Sequence, residues 1–186
     1  MSRGLGDVYK RQQLLDVEPN AGHTGLAELE KDFNVTVVTQ NVDNLHERAG
    51  STHVIHLHGE LTKVCSSRDP YNPRYVRELK PEEYEVKMGD KAGDGSQLRP
   101  FIVWFGEAVP EIETAIGYVE KADIFVIIGT SMNVYPAAGL LNYVPRTAEV
   151  YLIDPKPVDT HSMRQIHVIQ KGASEGVKEL KTEILH

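Results

Sequence analysis

The chain has 186 residues, with 20 Lys+Arg against 27 Asp+Glu, a formal charge of -7 and a single Cys. One domain, or one domain with a small appendage, is the default at this length, with about 70% of the unfolded surface buried. The acidic balance argues against a nucleic-acid partner, whose nonspecific binding draws on Lys and Arg. One Cys excludes a disulfide framework and any all-cysteine metal site. No apolar run is longer than Ile124 to Ile128, far short of the ~20 residues of a membrane span, so no membrane partner is expected. The opening MSRGLGDVYKRQ carries no apolar stretch of a secretion signal, which reads as a cytoplasmic protein.

Periodicity predicts an amphipathic helix from Ala21 to Phe33, with Leu26, Leu29 and Phe33 on one stripe. Val35 to Gln40 and His53 to His58 read as strands joined by a polar segment. Glu60 to Leu98 breaks the rhythm with charge, Pro, Gly and Tyr and reads as a small inserted module. Phe101 to Phe105, Ile124 to Gly129, Glu149 to Asp154 and His167 to Gln170 follow as short apolar strands. Helices are predicted at Glu111 to Ala122, Ala137 to Tyr143 and Ser174 to Leu185. Apolar strands alternating with helices indicate an α/β fold, a mostly parallel sheet with helices on both faces. Such a unit normally opens with a strand and the first twelve residues offer none, so the sheet is expected to lack its first strand.

Ligands of parallel α/β sheets sit beyond the carboxyl ends of the strands. Four such ends are polar or glycine-bearing: Gln40 to Asn44, His58-Gly59-Glu60, Gly106-Glu107 and Gly129-Thr130-Ser131. Taken singly, the first and last are ordinary turns or helix caps, since Asn, Asp and Gly favour both. His56, His58 and Glu60 alternate along a strand, a spacing open to a metal site, although histidines on a half-exposed strand are the commoner outcome. An imidazole titrating near neutrality is also suited to general-base work, and His58, followed by Gly59 at the strand's end, is the best placed of the three. Cys65 has no second Cys and no base beside it, which reads as an inert thiol. No G-x-G-x-x-G follows a predicted strand.

Together the motifs TQNVDNLH (Thr39 to His46), HLHGE (His56 to Glu60), RPFIVWFGE (Arg99 to Glu107) and GTSMNVYPAAGL (Gly129 to Leu140) resemble the sirtuin family of NAD-dependent protein-lysine deacylases. The wording is most similar to the bacterial branch that removes short, including acidic, acyl groups. The resemblance runs from Gln13 to His186 and implies a Rossmann-like NAD-binding domain over residues 13–59 and 99–186. Residues 60–98 fall where the family has its zinc-binding module, and residues 1–12 read as a leader outside the family.

By this resemblance His58 is the general base, while Gln40, Asn41 and Asp43 bind the nicotinamide ribose and carboxamide. Gly129, Thr130, Ser131, Asp154 and Ala173 belong to the NAD site, and Val103, Phe105, Gly106 and Val134 line the groove for an acyl-lysine protein or peptide. The implied products are free lysine, nicotinamide and O-acyl-ADP-ribose. The family's glycine-rich phosphate loop and its first strand have no counterpart here, so weak NAD binding and little turnover are expected. An alternative is a non-catalytic NAD, ADP-ribose or acyl-peptide binder; another is a metal-dependent hydrolase on His56, His58 and Glu60. The zinc module of many relatives carries two Cys pairs, whereas this chain has Cys65-Ser66-Ser67-Arg68 and no further Cys. No zinc is expected, and Tyr71, Tyr75 and Tyr84 are expected to hold the module by packing.

Overall fold

The computed structural model describes residues 11–129, 137–157 and 165–185. These fall into two compact units.

The larger unit contains Pro19–Val38, Leu45–Ile55 and the described part of 110–186. Helix α1 (Ala21–Leu29) starts at Asn20, whose side chain accepts the Gly22 and His23 amides at 2.8 and 3.2 Å, satisfying two of the donors a helix start leaves unpaired. It ends before the predicted Phe33, and the carboxylate of Glu30 accepts instead from the Thr52 amide (2.9 Å) and hydroxyl (2.6 Å). The strands β1 (Val37–Thr39) and β2 (Val54–His56), with the short helix α2 (Leu45–Arg48) between them, pair at both ends. The Val37 amide donates to His53 O (3.0 Å) in this unit, and the Leu57 amide to Thr39 O (2.9 Å) in the other.

After helix α3 (Ile112–Val119), β6 (Ile124–Ile128), β7 (Glu149–Ile153) and β8 (His167–Ile169) form a parallel sheet in the order β6-β7-β8. Helix α4 (Ala137–Leu140) lies between β6 and β7, and α5 (Ala173–Ile184) follows β8. Successive strand residues face opposite sides of a sheet, and Val150, Tyr151, Leu152 and Ile153 of β7 are all buried, so both faces are covered. Tyr151, Ile153 and Ile169 pack with Leu26 of α1 and with Val177 and Leu180 of α5. Close approach here depends on glycine: a Cβ on Gly25 would stand 2.7 Å from Val177 Cγ1, and one on Gly176 would stand 2.1 Å from Ile153 Cγ2. At the surface Lys181 pairs with Glu28 across the same two helices. No helix among the described residues is long and apolar enough to cross a membrane.

The smaller unit contains the described part of 1–18, Thr39–Asn44 and His56–Val109. Its sheet is antiparallel in the order β4-β3-β5, from β3 (Gly59–Ser66), β4 (Arg77–Glu78) and β5 (Leu98–Ile102). Two elements differ from the sequence reading. The strand β3 was not expected, because its buried Thr62 and Ser66 interrupt any apolar run. The strand predicted at Phe101 to Phe105 begins instead at Leu98, ends at Ile102 and pairs antiparallel with β3, Gly59 opposite Ile102, rather than joining a parallel sheet.

The module's core holds Val64, Leu79, Tyr84, Ala92 and Leu98. Of the three tyrosines expected there only Tyr84 belongs to it; Tyr71 is exposed and Tyr75 half-buried. Hydroxyls do the remaining joining. Ser66 Oγ donates to Asp94 Oδ2 (2.7 Å), and it also accepts the amides of Arg68 and Asp69 at 3.0 Å each. Ser96 donates through its amide (3.0 Å) and hydroxyl (2.7 Å) to Asp94 Oδ1. These bonds tie the loop after β3 to the loop before β5. They hold the Asp94 carboxyl down at about 2, the Ser66 hydroxyl being the largest cause.

A carboxyl lowered on folding from 3.8 to about 2 contributes stability that is present in full above pH 4 and lost as the pH falls through about 2. Asp94→Asn is therefore expected to be less stable than the parent at pH 6, with the difference shrinking as the pH falls below 4 and through about 2. Urea unfolding across that range checks this, and a difference independent of pH would contradict it.

Candidate active site

The segment after β1 is folded by its own side chains. Thr39 Oγ1 accepts the Asn41 amide at 3.1 Å, a local bond that ends the strand one residue before the predicted Gln40. The Leu61 amide donates to Val42 O (2.7 Å) and so pins the segment to β3. Between β2 and β3 the chain reverses at Leu57 and His58, and Gly59 makes this possible with φ +77. His58 therefore sits in a tight turn rather than on a continuous strand with His56 and Glu60. The alternation that suggested three ligands on one face is broken at that turn.

Both imidazoles are oriented by the segment after β1. His58 Nδ1 lies 3.0 Å from Gln40 O, and His56 Nδ1 lies 3.1 Å from Asn41 O. A carbonyl only accepts, so each Nδ1 carries the proton. In neutral His58 the lone pair then belongs to Nε2, the atom a general base uses. Gln40, Asn41, Asp43 and His58 are thus drawn together within one unit. Two carboxamides, a carboxylate and an imidazole suit the hydroxyls and amide of a nicotinamide riboside.

The turn after β5 is the third component. The Val103 amide donates to His58 O (2.9 Å), and the Glu107 amide to Trp104 O (2.9 Å). The latter closes a four-residue turn with Gly106 third at φ +88, the pattern of a type II turn. Phe105 at its tip is fully exposed. Arg99 donates to both carboxylate oxygens of Glu107, at 2.8 and 2.9 Å. Hydrogen bonding to Arg99 holds the Glu107 carboxyl below its usual range and raises the guanidinium in turn. The motif RPFIVWFGE contains this Arg and Glu without giving either a role; the signal in the sequence is a charged pair bracketing an apolar run that ends in Gly.

Cys65 is buried, its thiol 3.7 Å from Pro100 O. Burial pushes it up to about 11, which keeps it protonated and unreactive at neutral pH.

In the larger unit Gly129 ends β6 with φ +59, and no described atom lies within 4 Å of where its Cβ would be. Asp154 follows β7, is buried, and accepts the Lys156 amide at 2.8 Å. Ala173 opens α5. Thr130, Ser131 and Val134 lie outside the described residues.

Comparison with known proteins places this chain in a family. The profile of the Sir2 family matches residues 6–136. The chain is a member of the Sir2 family. A Bacteroides thetaiotaomicron protein named NAD-dependent protein deacylase is 84% identical over 172 residues, 92% of this chain and 74% of the relative. A Helicobacter pylori protein of the same name is 47% identical over 181 residues, 96% of this chain and 76% of the relative. The structure of a Sir2 homologue in complex with NAD superposes with a TM-score of 0.80 at 34% identity, covering 96% of this chain and 70% of that one. A Sir2 structure with a p53 peptide and NAD+ gives a TM-score of 0.73 at 30% identity, covering 92% and 72%. The parallel sheet with its helices is the Rossmann-like layer of this sirtuin.

Proposed function

We propose that this sirtuin is an NAD-dependent protein deacylase acting on acyl-lysine in proteins or peptides. The observation that carries the reading is His58: its Nδ1 proton is committed to Gln40 O, which directs the basic Nε2 to other work. His58 is the general base, removing a proton from a hydroxyl. Gln40, Asn41 and Asp43 bind the nicotinamide ribose and carboxamide, and their fixed segment orients that end for departure of the ring. Gly129, Thr130 and Ser131 serve the adenosine ribose, with Ala173 also in the NAD site; Asp154, a carboxylate, accepts from ribose hydroxyls and disfavours a 2′-phosphate.

Val103, Phe105, Gly106 and Val134 receive the peptide. Among the described residues, Val103 O, Phe105 N and O and Gly106 N carry no hydrogen bond, and a peptide can use them as an added strand does. Bound NAD would supply the ribosyl carbon that takes the acyl oxygen as nicotinamide leaves, and the ribose hydroxyl that, with entry of one water, keeps the acyl group as O-acyl-ADP-ribose while the lysine amine is released. The small module is read as working without zinc, which fits the Ser66, Asp94 and Ser96 bonds joining its two loops.

The test is to incubate the chain with NAD and acetyl- or succinyl-lysine peptides and follow all products by mass spectrometry. Deacylated peptide, nicotinamide and O-acyl-ADP-ribose in equal amounts are expected. Free carboxylate released without NAD would point to hydrolysis and overturn the reading.

A further inference from the structure

The turn that follows β5 is held by more bonds than its length requires, and they converge on two side chains. Glu107 engages both backbone groups of Trp104: its amide donates to Trp104 O (2.9 Å), and its Oε2 accepts the Trp104 amide (3.0 Å). Arg99 forks onto the same carboxylate and donates from Nη2 to Ile102 O at 2.8 Å. On the outer side Tyr71 packs edge-on against Phe101 and donates its hydroxyl to Ala108 O (3.4 Å). At the turn's start Val103 is bonded to the carbonyl of His58. Arg99 and Glu107 are both partly shielded, their side chains 19% and 32% exposed, and a bidentate guanidinium-carboxylate pair is directional as well as strong.

The consequence is a turn with its inner backbone groups already spent, while Val103 O, Phe105 N and O and Gly106 N face no described partner. We infer that Arg99 and Glu107 are a positioning pair for the acyl-lysine substrate: they fix the 103–107 turn against the His58 carbonyl, and so set the register of a docked peptide relative to the base. The inference rests on the deacylase reading. Neither residue touches reacting atoms in this role; both act through the backbone of Trp104 and Ile102.

The chain has one tryptophan, Trp104, inside the turn, so its fluorescence reports both turn order and peptide docking without requiring turnover. The experiment titrates an acetyl-lysine peptide into the parent, E107A, E107Q, R99A and R99A/E107A, with NAD affinity and thermal melting measured beside it. Each alanine variant is expected to weaken peptide binding about tenfold, the scale of a lost charge-assisted bond. The double variant should be no weaker than either single one, because the two side chains act as one unit. E107Q should fall between, since its amide oxygen can still accept the Trp104 amide. NAD affinity should stay within about twofold of the parent.

Unchanged peptide affinity in E107A, with Trp104 more accessible to acrylamide, would overturn the positioning role. Parallel losses of peptide affinity, NAD affinity and melting temperature would overturn it as well, marking the pair as merely structural. A parent chain that binds no acyl-lysine peptide would remove the deacylase reading, and this role with it.

Discussion

His58→Ala is expected to lower deacylation by about 100- to 10,000-fold, the range that a positioned general base contributes, while NAD and acyl-lysine peptide still bind. The imidazole is held by one bond from Nδ1 to Gln40 O, and neither Gln40 O nor the segment after it needs the ring for its other anchors, namely the Asn41 amide on Thr39 Oγ1 and the Leu61 amide on Val42 O. Removing the ring takes away the proposed base and leaves the backbone of the segment carrying Gln40, Asn41 and Asp43 tethered. Single-turnover measurement separates the two: product formation collapses and ligand dissociation constants change little. Deacylation surviving within tenfold of the parent would exclude His58 from the role.

The largest expected effect on stability comes one residue later. A Cβ at Gly59 would stand 2.2 Å from Phe101 O and 3.0 Å from Ile102 Cα, both backbone atoms of the paired strand that cannot rotate aside. The same residue has φ +77, which costs an L side chain about 1–2 kcal/mol on its own. Gly59→Ala is expected to lose at least about 3 kcal/mol, since strand separation is added to the backbone strain. Gly89→Ala is the control: φ is +101 and no described atom lies within 4 Å of the added carbon, so only the backbone cost of about 1–2 kcal/mol remains. Urea midpoints of the two variants separate steric contact from conformational preference. Gly59→Ala should also impair catalysis in whatever fraction stays folded, because pushing β5 away strains the bond from the Val103 amide to His58 O. Equal losses in both variants would refute the close-approach argument.

These two adjacent residues show why local sequence and tertiary environment contribute differently. The motif HLHGE marks the place, and a Gly after a histidine at a strand end is a readable signal. That His58 lies in a reversal rather than on a strand is decided by β5 pairing with Gly59, a contact distant in sequence. Likewise the run FIVWF reads as a buried strand from hydrophobicity alone. Its second half is instead a turn that exposes Phe105, because Arg99 and Glu107 close on each other eight residues apart.

The sequence by itself determined the elements whose pattern is periodic and local: α1, β6, β7, β8 and α5 stand close to where alternation and helical spacing put them, and the strand ends with polar residues were legible as candidate sites. Only the tertiary structure decided β3, whose buried Ser66 is tolerated because hydrogen bonds to Asp94 and to the Arg68 and Asp69 amides satisfy it, and which side chains meet. The bond from His58 Nδ1 to Gln40 O and that from Ser66 to Asp94 join residues 18 and 28 apart in the chain, and the Arg99–Glu107 pair that clamps the 103–107 turn closes over eight. Periodicity reports which face of an element is apolar; it does not report which distant carbonyl or carboxylate will stand opposite a given donor.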